Sequence, residues 1–222
     1  MTASTLRRRP QLSEEVAGHL RGQIMSGVLR PGVFVRIDET ALELGVSGTP
    51  VREALVALRG EGLVEQVPNR GYRVGELDRA DIEDIFWLQG VIASKLARRA
   101  ARIITPAQIE QLGALNALLR GAVSGANAEA VESREFEFHR FINRIAGGKK
   151  LAWFLFGAIR YTPSKLYASD PAWGEATVRS HGSLIAALSA GDLDAVGEIM
   201  RRQFVDGAER LIAYREAVGL RP

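Results

Sequence analysis

Val46-Ser47-Gly48-Thr49-Pro50-Val51-Arg52-Glu53-Ala54-Leu55 reads as the start of a helix that has one anchored face and one open turn. Thr49 is a good N-cap, and Pro50 suits the first helical position because its missing N–H would be unpaired there anyway. From residue 50 to about residue 59, Val51, Leu55 and Leu58 fall on one face, while Arg52, Val56 and Arg59 point elsewhere. The apolar face can be buried. Ser47, Gly48, Thr49 and Arg52 are then left exposed at the N-terminal turn.

The flanking sequence supplies a frame for that helix. Upstream, Ser13-Glu14-Glu15 opens a helix in which Val16, Leu20 and Ile24 recur every fourth residue. It stops at Gly27, and Leu29-Arg30-Pro31-Gly32 makes a turn that no helix can cross. A short helix over about residues 38–44 ends at Gly45. Downstream, strand-like runs at residues 63–67 and 72–74 flank Pro68-Asn69-Arg70-Gly71, a hairpin with a polar, basic tip. Helix, helix, turn, helix and hairpin within ~65 residues is the element order of a winged helix-turn-helix.

Beyond residue 77 the pattern is helical to the end. Helices are expected over residues 81–102, from a capping box at Thr105-Pro106-Ala107-Gln108, and over residues 128–146, 149–161, 172–190 and 192–217. The fold class is mostly α: an N-terminal winged helix-turn-helix (residues 11–75), a linker (76–80), and an all-α bundle of about six helices (81–217). A basic arm over residues 1–10, with Arg7-Arg8-Arg9, precedes them, and a tail over residues 218–222 follows.

Composition narrows the function classes. The chain has 222 residues, 46% apolar and 25% charged, and a formal net charge of +3, as in ordinary globular proteins. It has no cysteine, which removes disulfides, thiolate catalysis and Cys-ligated zinc. No apolar run approaches the ~18 residues of a membrane helix, and Arg7-Arg8-Arg9 is not followed by the apolar core of a secretory signal. A cytoplasmic location is expected.

The exposed turn carries the chemistry. In a helix-turn-helix the first residues of the second helix meet base edges in the major groove. Arg52 can bond O6 and N7 of guanine bidentately, and the hydroxyls of Ser47 and Thr49 and the backbone at Gly48 suit phosphates. Asn69, Arg70 and Gly71 at the hairpin tip can reach the adjacent minor groove, and Arg36 completes the candidate DNA-binding set. Operator DNA is the expected partner.

Gly27-Val28-Leu29-Arg30-Pro31-Gly32, the stretch from Leu44 to Leu55, Gly62-Leu63-Val64 and Pro68-Asn69-Arg70-Gly71 together resemble the GntR family of bacterial regulators. The helical remainder is similar to the ligand-sensing FCD domain of its FadR-type branch. That resemblance implies a homodimeric regulator, a repressor, which grips pseudo-palindromic operators and changes grip when a small metabolite binds. Relatives commonly carry an Arg where this chain has Gly48. A DNA contact is therefore missing, and Arg52 is left as the main base reader.

Polar residues on inner helical faces mark the second candidate site. Glu135 and His139 share a side of their helix with Val131, Phe138, Ile142 and Ile145. His181 precedes Leu184, Ile185 and Leu188, and Gln203 sits among Val196, Ile199, Met200 and Leu211. Such groups must converge or be costly. Glu and His at i, i+4 can chelate one ion, and imidazole suits zinc or nickel; a hydrogen-bonded His–Glu pair uses the same spacing.

The resemblance implies a divalent metal held by Glu135, His139 and His181, with Gln203 in place of a further His. It also places Gln89 and Ala93 where relatives often show Arg and Glu. Gln89, Glu135, His139, His181 and Gln203 are thus the expected effector pocket. An effector that coordinates the metal would be a carboxylate or hydroxy acid, with Arg134, Arg140 or Arg160 substituting for the missing Arg.

Two other readings compete with a ligand-responsive regulator. One is a metal-dependent hydrolase using Glu135, His139 and His181, although no spare carboxylate presents itself on a matching inner face. The other is a constitutive DNA-binding regulator whose sensing site has decayed. No catalytic residue is assigned. Trp153, Phe154 and Phe156 read as core or dimer packing, and Trp173 and Tyr161 as possible pocket residues.

Overall fold

The computed structural model describes residues 10–220. The basic arm expected over residues 1–10 lies, but for Pro10, outside them, as do residues 221 and 222. The chain divides into two compact units, one of residues up to Asp78 together with residues from Arg215 onward, the other spanning Arg79–Tyr214.

The first unit contains α1 (Pro10–Met25), β1 (Phe34–Val35), α2 (Ile37–Glu43), α3 (Gly48–Gly60), β2 (Val64–Val67) and β3 (Gly71–Val74). Val16, Leu20 and Ile24 of α1 and Val51, Leu55 and Leu58 of α3 are buried, as their spacing requires. Fully burying one such aliphatic side chain is worth ~1.5–3 kcal/mol. The hairpin acquires a third strand: β1 and β2 both pair antiparallel with β3, in the order β1-β3-β2. Two residues are too few to show an alternating pattern, so β1 left no mark in the sequence. At the hairpin tip Asn69 has φ 59° and Gly71 φ 98°, a backbone that Asn and Gly tolerate best.

Helix α3 begins two residues earlier than expected. Its N-cap is Ser47, not Thr49, which puts Pro50 at the third helical position. The first four N–H groups of a helix have no intrahelical partner, so Pro50 costs no hydrogen bond there either.

Long-range contacts fix α1 and the turn after α3. Arg21, buried on α1, donates from Nε and Nη2 to the two carboxylate oxygens of Glu61 at 2.7 and 2.6 Å. Bidentate pairing of this kind is what makes a buried guanidinium tolerable. Residues 218–222, read as a tail, are in part packed: Arg30 donates to the Val218 carbonyl at 3.1 Å, and Leu220 is buried. Gly27, with φ 76°, ends α1, and a Cβ there would overlap Leu220 Cδ1. The left-handed φ favours glycine there, and the missing Cβ leaves room for Leu220.

The second unit is all helical: α4 (Arg79–Ala101), α5 (Pro106–Ser124), α6 (Ala128–Ala146), α7 (Lys149–Ile159), α8 (Ser164–Ala168), α9 (Pro171–Ala190) and α10 (Leu193–Ala217, of which residues to Tyr214 belong here). Against the six helices expected, α8 is additional, and α4 starts at Arg79 inside the stretch read as a linker. The capping box at Thr105 and Gln108 is formed. Helix α6 starts at Asn127, whose side chain accepts from the Ala130 N–H, and stops at Gly147 in the left-handed conformation. Leu96, Leu112, Phe138, Ile142, Leu155, Leu184, Leu188 and Val196 fill the core.

Candidate functional site

The first unit presents a polar, basic surface around the start of α3. Ser47, Thr49 and Arg52 are exposed and Gly48 is half-buried, where an added Cβ would come to 3.3 Å from Ile37 Cγ2. Arg52 has no hydrogen-bond or ion-pair partner among the described residues. Its guanidinium is available. Arg36, at the N-cap of α2, is exposed and lies 3.5 Å from Glu39. Such a solvated pair holds the arginine only weakly. Asn69, Arg70 and Gly71 are exposed at the wing tip, where the Arg70 guanidinium sits 5.2 Å from the Phe34 ring centroid. By contrast Arg59 is engaged by Gln66, and Arg73 by Glu65 at 2.8 Å.

In the second unit α6 and α9 bring Glu135, His139 and His181 together. His139 Nε2 lies 3.0 Å from Glu135 Oε1, His181 Nε2 3.2 Å from Glu135 Oε2, and the two Nε2 atoms 3.4 Å apart. His181 is fully buried, and Phe138 stacks on it with ring centroids 3.7 Å apart and planes 8° from parallel. Burial pushes the His181 imidazole down to about 4, Glu135 nearby pulls it back up in part, and His139 lowers it further. It is neutral at pH 7. Glu135 is raised by its own burial, but the neighbouring His181 and His139 outweigh that and hold the carboxyl below its ordinary value. Glu135 Oε2, His181 Nδ1 and Gln203 Oε1 are buried without a hydrogen bond.

That donor set fits a divalent ion. Ligands held at ~2.0–2.1 Å in a tetrahedron stand about 3.3 Å apart, close to the spacings among Glu135, His139 and His181. Glu135 Oε2 is a second sign: it is buried without a hydrogen bond although His181 Nε2 lies 3.2 Å away, and a cation would satisfy both atoms.

A cavity of about 460 Å³ opens beside the cluster, within the usual range for small-molecule sites. Glu135, His139 and Gln203 line it, and Gln203 Nε2 donates to Ser180 Oγ at 2.9 Å. Two residues expected in the pocket are not among its lining. His181 lies beneath Phe138. Gln89 is fully buried and satisfied, donating to the Ala158 carbonyl at 2.8 Å and accepting from Thr162 Oγ1 at 3.3 Å. An inward-facing polar residue can thus join two helices instead of facing a ligand.

Sequence reasoning missed much of the wall. Glu129 and Glu132 line the cavity, so the absence of a spare carboxylate near the cluster does not hold. They precede Glu135 at steps of three, and that i, i+3 spacing was the available signal. Trp173 lines the cavity and stacks on Tyr167, whose hydroxyl donates to the Gly207 carbonyl at 2.6 Å; Tyr161 does not line it. Neither Arg134, Arg140 nor Arg160 contributes to the wall: Arg134 pairs with Glu137 at 2.6 Å. Trp153, Phe154 and Phe156 are exposed, so they are not core.

Comparison with known proteins decides the family. Residues 12–74 match the family described as bacterial regulatory proteins, gntR family, and residues 84–205 match the FCD domain. The chain belongs to the GntR family of bacterial transcription regulators. Among its relatives is the HTH-type transcriptional repressor RspR of Escherichia coli K12, 27% identical, with 92% of this chain and 91% of that one covered. The HTH-type regulator YdfH of Escherichia coli O6:H1 is also 27% identical, covering 97% and 96%. The fold resembles that of Escherichia coli McbR/YncC, with a TM-score of 0.68 at 22% identity over 91% of this chain and 97% of the other. This GntR chain is therefore a DNA-binding transcription regulator with an effector-binding FCD domain, and no helix among its described residues is long and apolar enough to cross a membrane.

Proposed function

We propose that the chain is a cytoplasmic, homodimeric repressor, not an enzyme, whose grip on a pseudo-palindromic operator is set by a small molecule in the second unit. The observation that carries this reading is the unpaired Arg52 on the first turn of α3, on the surface that a winged helix-turn-helix presents to the major groove. Ser47, Thr49 and the Gly48 backbone contact phosphates, and Arg70 and Asn69 reach the minor groove from the wing. The exposed Trp153, Phe154 and Phe156 favour a protein partner on α7, and a second copy suits the two-fold symmetry of an operator.

The test is a gel shift on DNA from upstream of the chain's own gene, at several salt concentrations. Affinity falls steeply with salt because phosphate contacts release counterions. Arg52→Ala costs ~1–3 kcal/mol on the operator and relaxes discrimination at one base, with little change on random DNA. Equal losses on both would make Arg52 a phosphate contact and contradict its role as base reader.

Glu135, His139 and His181 hold one divalent ion, zinc or nickel, in this proposal. When bound, the ion supplies a Lewis-acidic position on the effector cavity. Glu132, a further carboxylate lining the cavity, already accepts a hydrogen bond from Ser164 Oγ, so the hydrolase alternative gains no free general base from it. Plasma mass spectrometry on protein purified without a nickel-leaching tag should find close to one equivalent per chain, and His139→Ala should lose it. An untouched metal content in that variant, or none after zinc and nickel are added back, would end the proposal.

A further inference from the structure

We infer that the cavity of the second unit takes an organic cation: a small ligand with a protonated amine on an apolar, aromatic-sized body. This rests on reading the cavity as the effector site and names the chemistry of what enters it.

Charge is the first argument. Glu129, Glu132 and Glu135 all line the cavity, and neither Lys nor Arg does. The three project from α6 at successive steps of three residues. Glu129 is exposed, while Glu132 and Glu135 are half-buried, so the carboxylates lead from solvent to the metal-type cluster. A row of like charges in a cleft of low dielectric concentrates the opposite charge. Three carboxylates outweigh one divalent ion, so the wall stays negative whether or not Glu135, His139 and His181 hold one. A free carboxylate ligand would meet like charge and find no arginine.

Hydrogen-bonding capacity is the second argument, independent of charge. Gln203 spends its amide N–H on Ser180 Oγ, and its Oε1 is buried with no donor. The Tyr167 hydroxyl spends its proton on the Gly207 carbonyl. With the carboxylates, these groups present acceptors to the cavity, and a ligand with N–H donors satisfies them. Aromatic surface is the third. Phe86, Phe136, Trp173 and Phe204 line the same space, with Trp173 stacked on Tyr167. Aromatic faces attract ammonium groups and bury apolar bodies together. Acceptors, carboxylates and rings with neither Lys nor Arg in the wall describe a site for an amine.

Calorimetry and thermal shift on the full chain, both metal-stripped and zinc-loaded, compare 2-phenylethylamine with 3-phenylpropionate and 2-phenylethanol, which share its size. The amine should bind at least tenfold more tightly than the acid or the alcohol in both states. Glu132→Gln should weaken amine binding at least tenfold, and Glu129→Gln, a change at the exposed rim, by a smaller factor without altering folding. Tighter binding of the acid, binding of none of the three, or no effect of either substitution would overturn the inference. Operator gel shifts on the same samples separate the two readings. Absence of operator binding by the ligand-free chain, with amine binding intact, sinks the regulator. The reverse sinks only the ligand class.

Discussion

Arg215→Ala should destabilise the first unit by about 3 kcal/mol, although Arg215 lies 138 to 191 residues from its acceptors. The side chain is 1% exposed. Its Nη1 donates to the carbonyls of Ile24 and Met25 at 3.1 and 2.9 Å, and its Nη2 to that of Leu77 at 3.3 Å. Ile24 and Met25 close α1, where carbonyls lack intrahelical partners and the helix dipole presents its negative end. Arg215 is thus a cationic C-cap supplied from the far end of the chain. Burial lowers its pKa but leaves it charged at any ordinary pH. Lysine at this position keeps the charge and loses the fork, so Arg215→Lys should fall between wild type and Arg215→Ala. Denaturant unfolding read on both variants checks this. A loss under ~0.5 kcal/mol, the range of ordinary surface changes, would show that the clamp contributes nothing.

Arg215 also marks where periodicity stops being informative. The DNA-binding unit was legible because its logic is local. Val51, Leu55 and Leu58 fix a buried face by spacing, Gly45 ends the helix before it, and Asn69-Arg70-Gly71 carries its own turn chemistry. Even the displaced N-cap at Ser47 is a shift within one turn. Arg21 with Glu61 and Arg215 with Ile24 are different in kind. Each is a charged residue buried by a partner that no window of eighteen residues contains, and in the sequence each reads as a solvated helix charge.

In the sensing unit the helices were legible and their convergence only partly so. Glu135 and His139 announce themselves by i, i+4 spacing, and His181 by its place in an apolar stripe. Gln89 sends the same signal for another reason, since its amide joins α4 to Ala158 and Thr162. Periodicity identifies an inner face; it does not say whether that face meets a neighbour or a void. The cavity is walled from α4, α6, α7, α9, α10 and the α8 region, so its acidic, aromatic character existed only after packing.

His181→Leu should cost the cluster its ion and the fold almost nothing. The imidazole is fully buried, neutral at pH 7, stacked on Phe138, and has an Nδ1 with no partner. A buried polar atom left unpaired costs ~1–3 kcal/mol, and leucine removes it while filling most of the same space. Ligand-free stability should stay equal or rise by about 1 kcal/mol. Metal affinity should drop beyond the ~100-fold typical of outer-shell changes, because a ligand itself is gone. Metal-stripped wild type should also differ from the variant in pH response. Its folded-state imidazole titrates at about 4 and the unfolded one at 6.5, so the unfolded chain takes up the proton first. Stability is full above pH 6.5 and is lost as the pH falls toward 4, a loss His181→Leu should not share. A purely structural histidine predicts the opposite pattern: a large drop in stability with metal content unchanged. A residue whose removal stabilises the fold and abolishes binding is kept for what it binds.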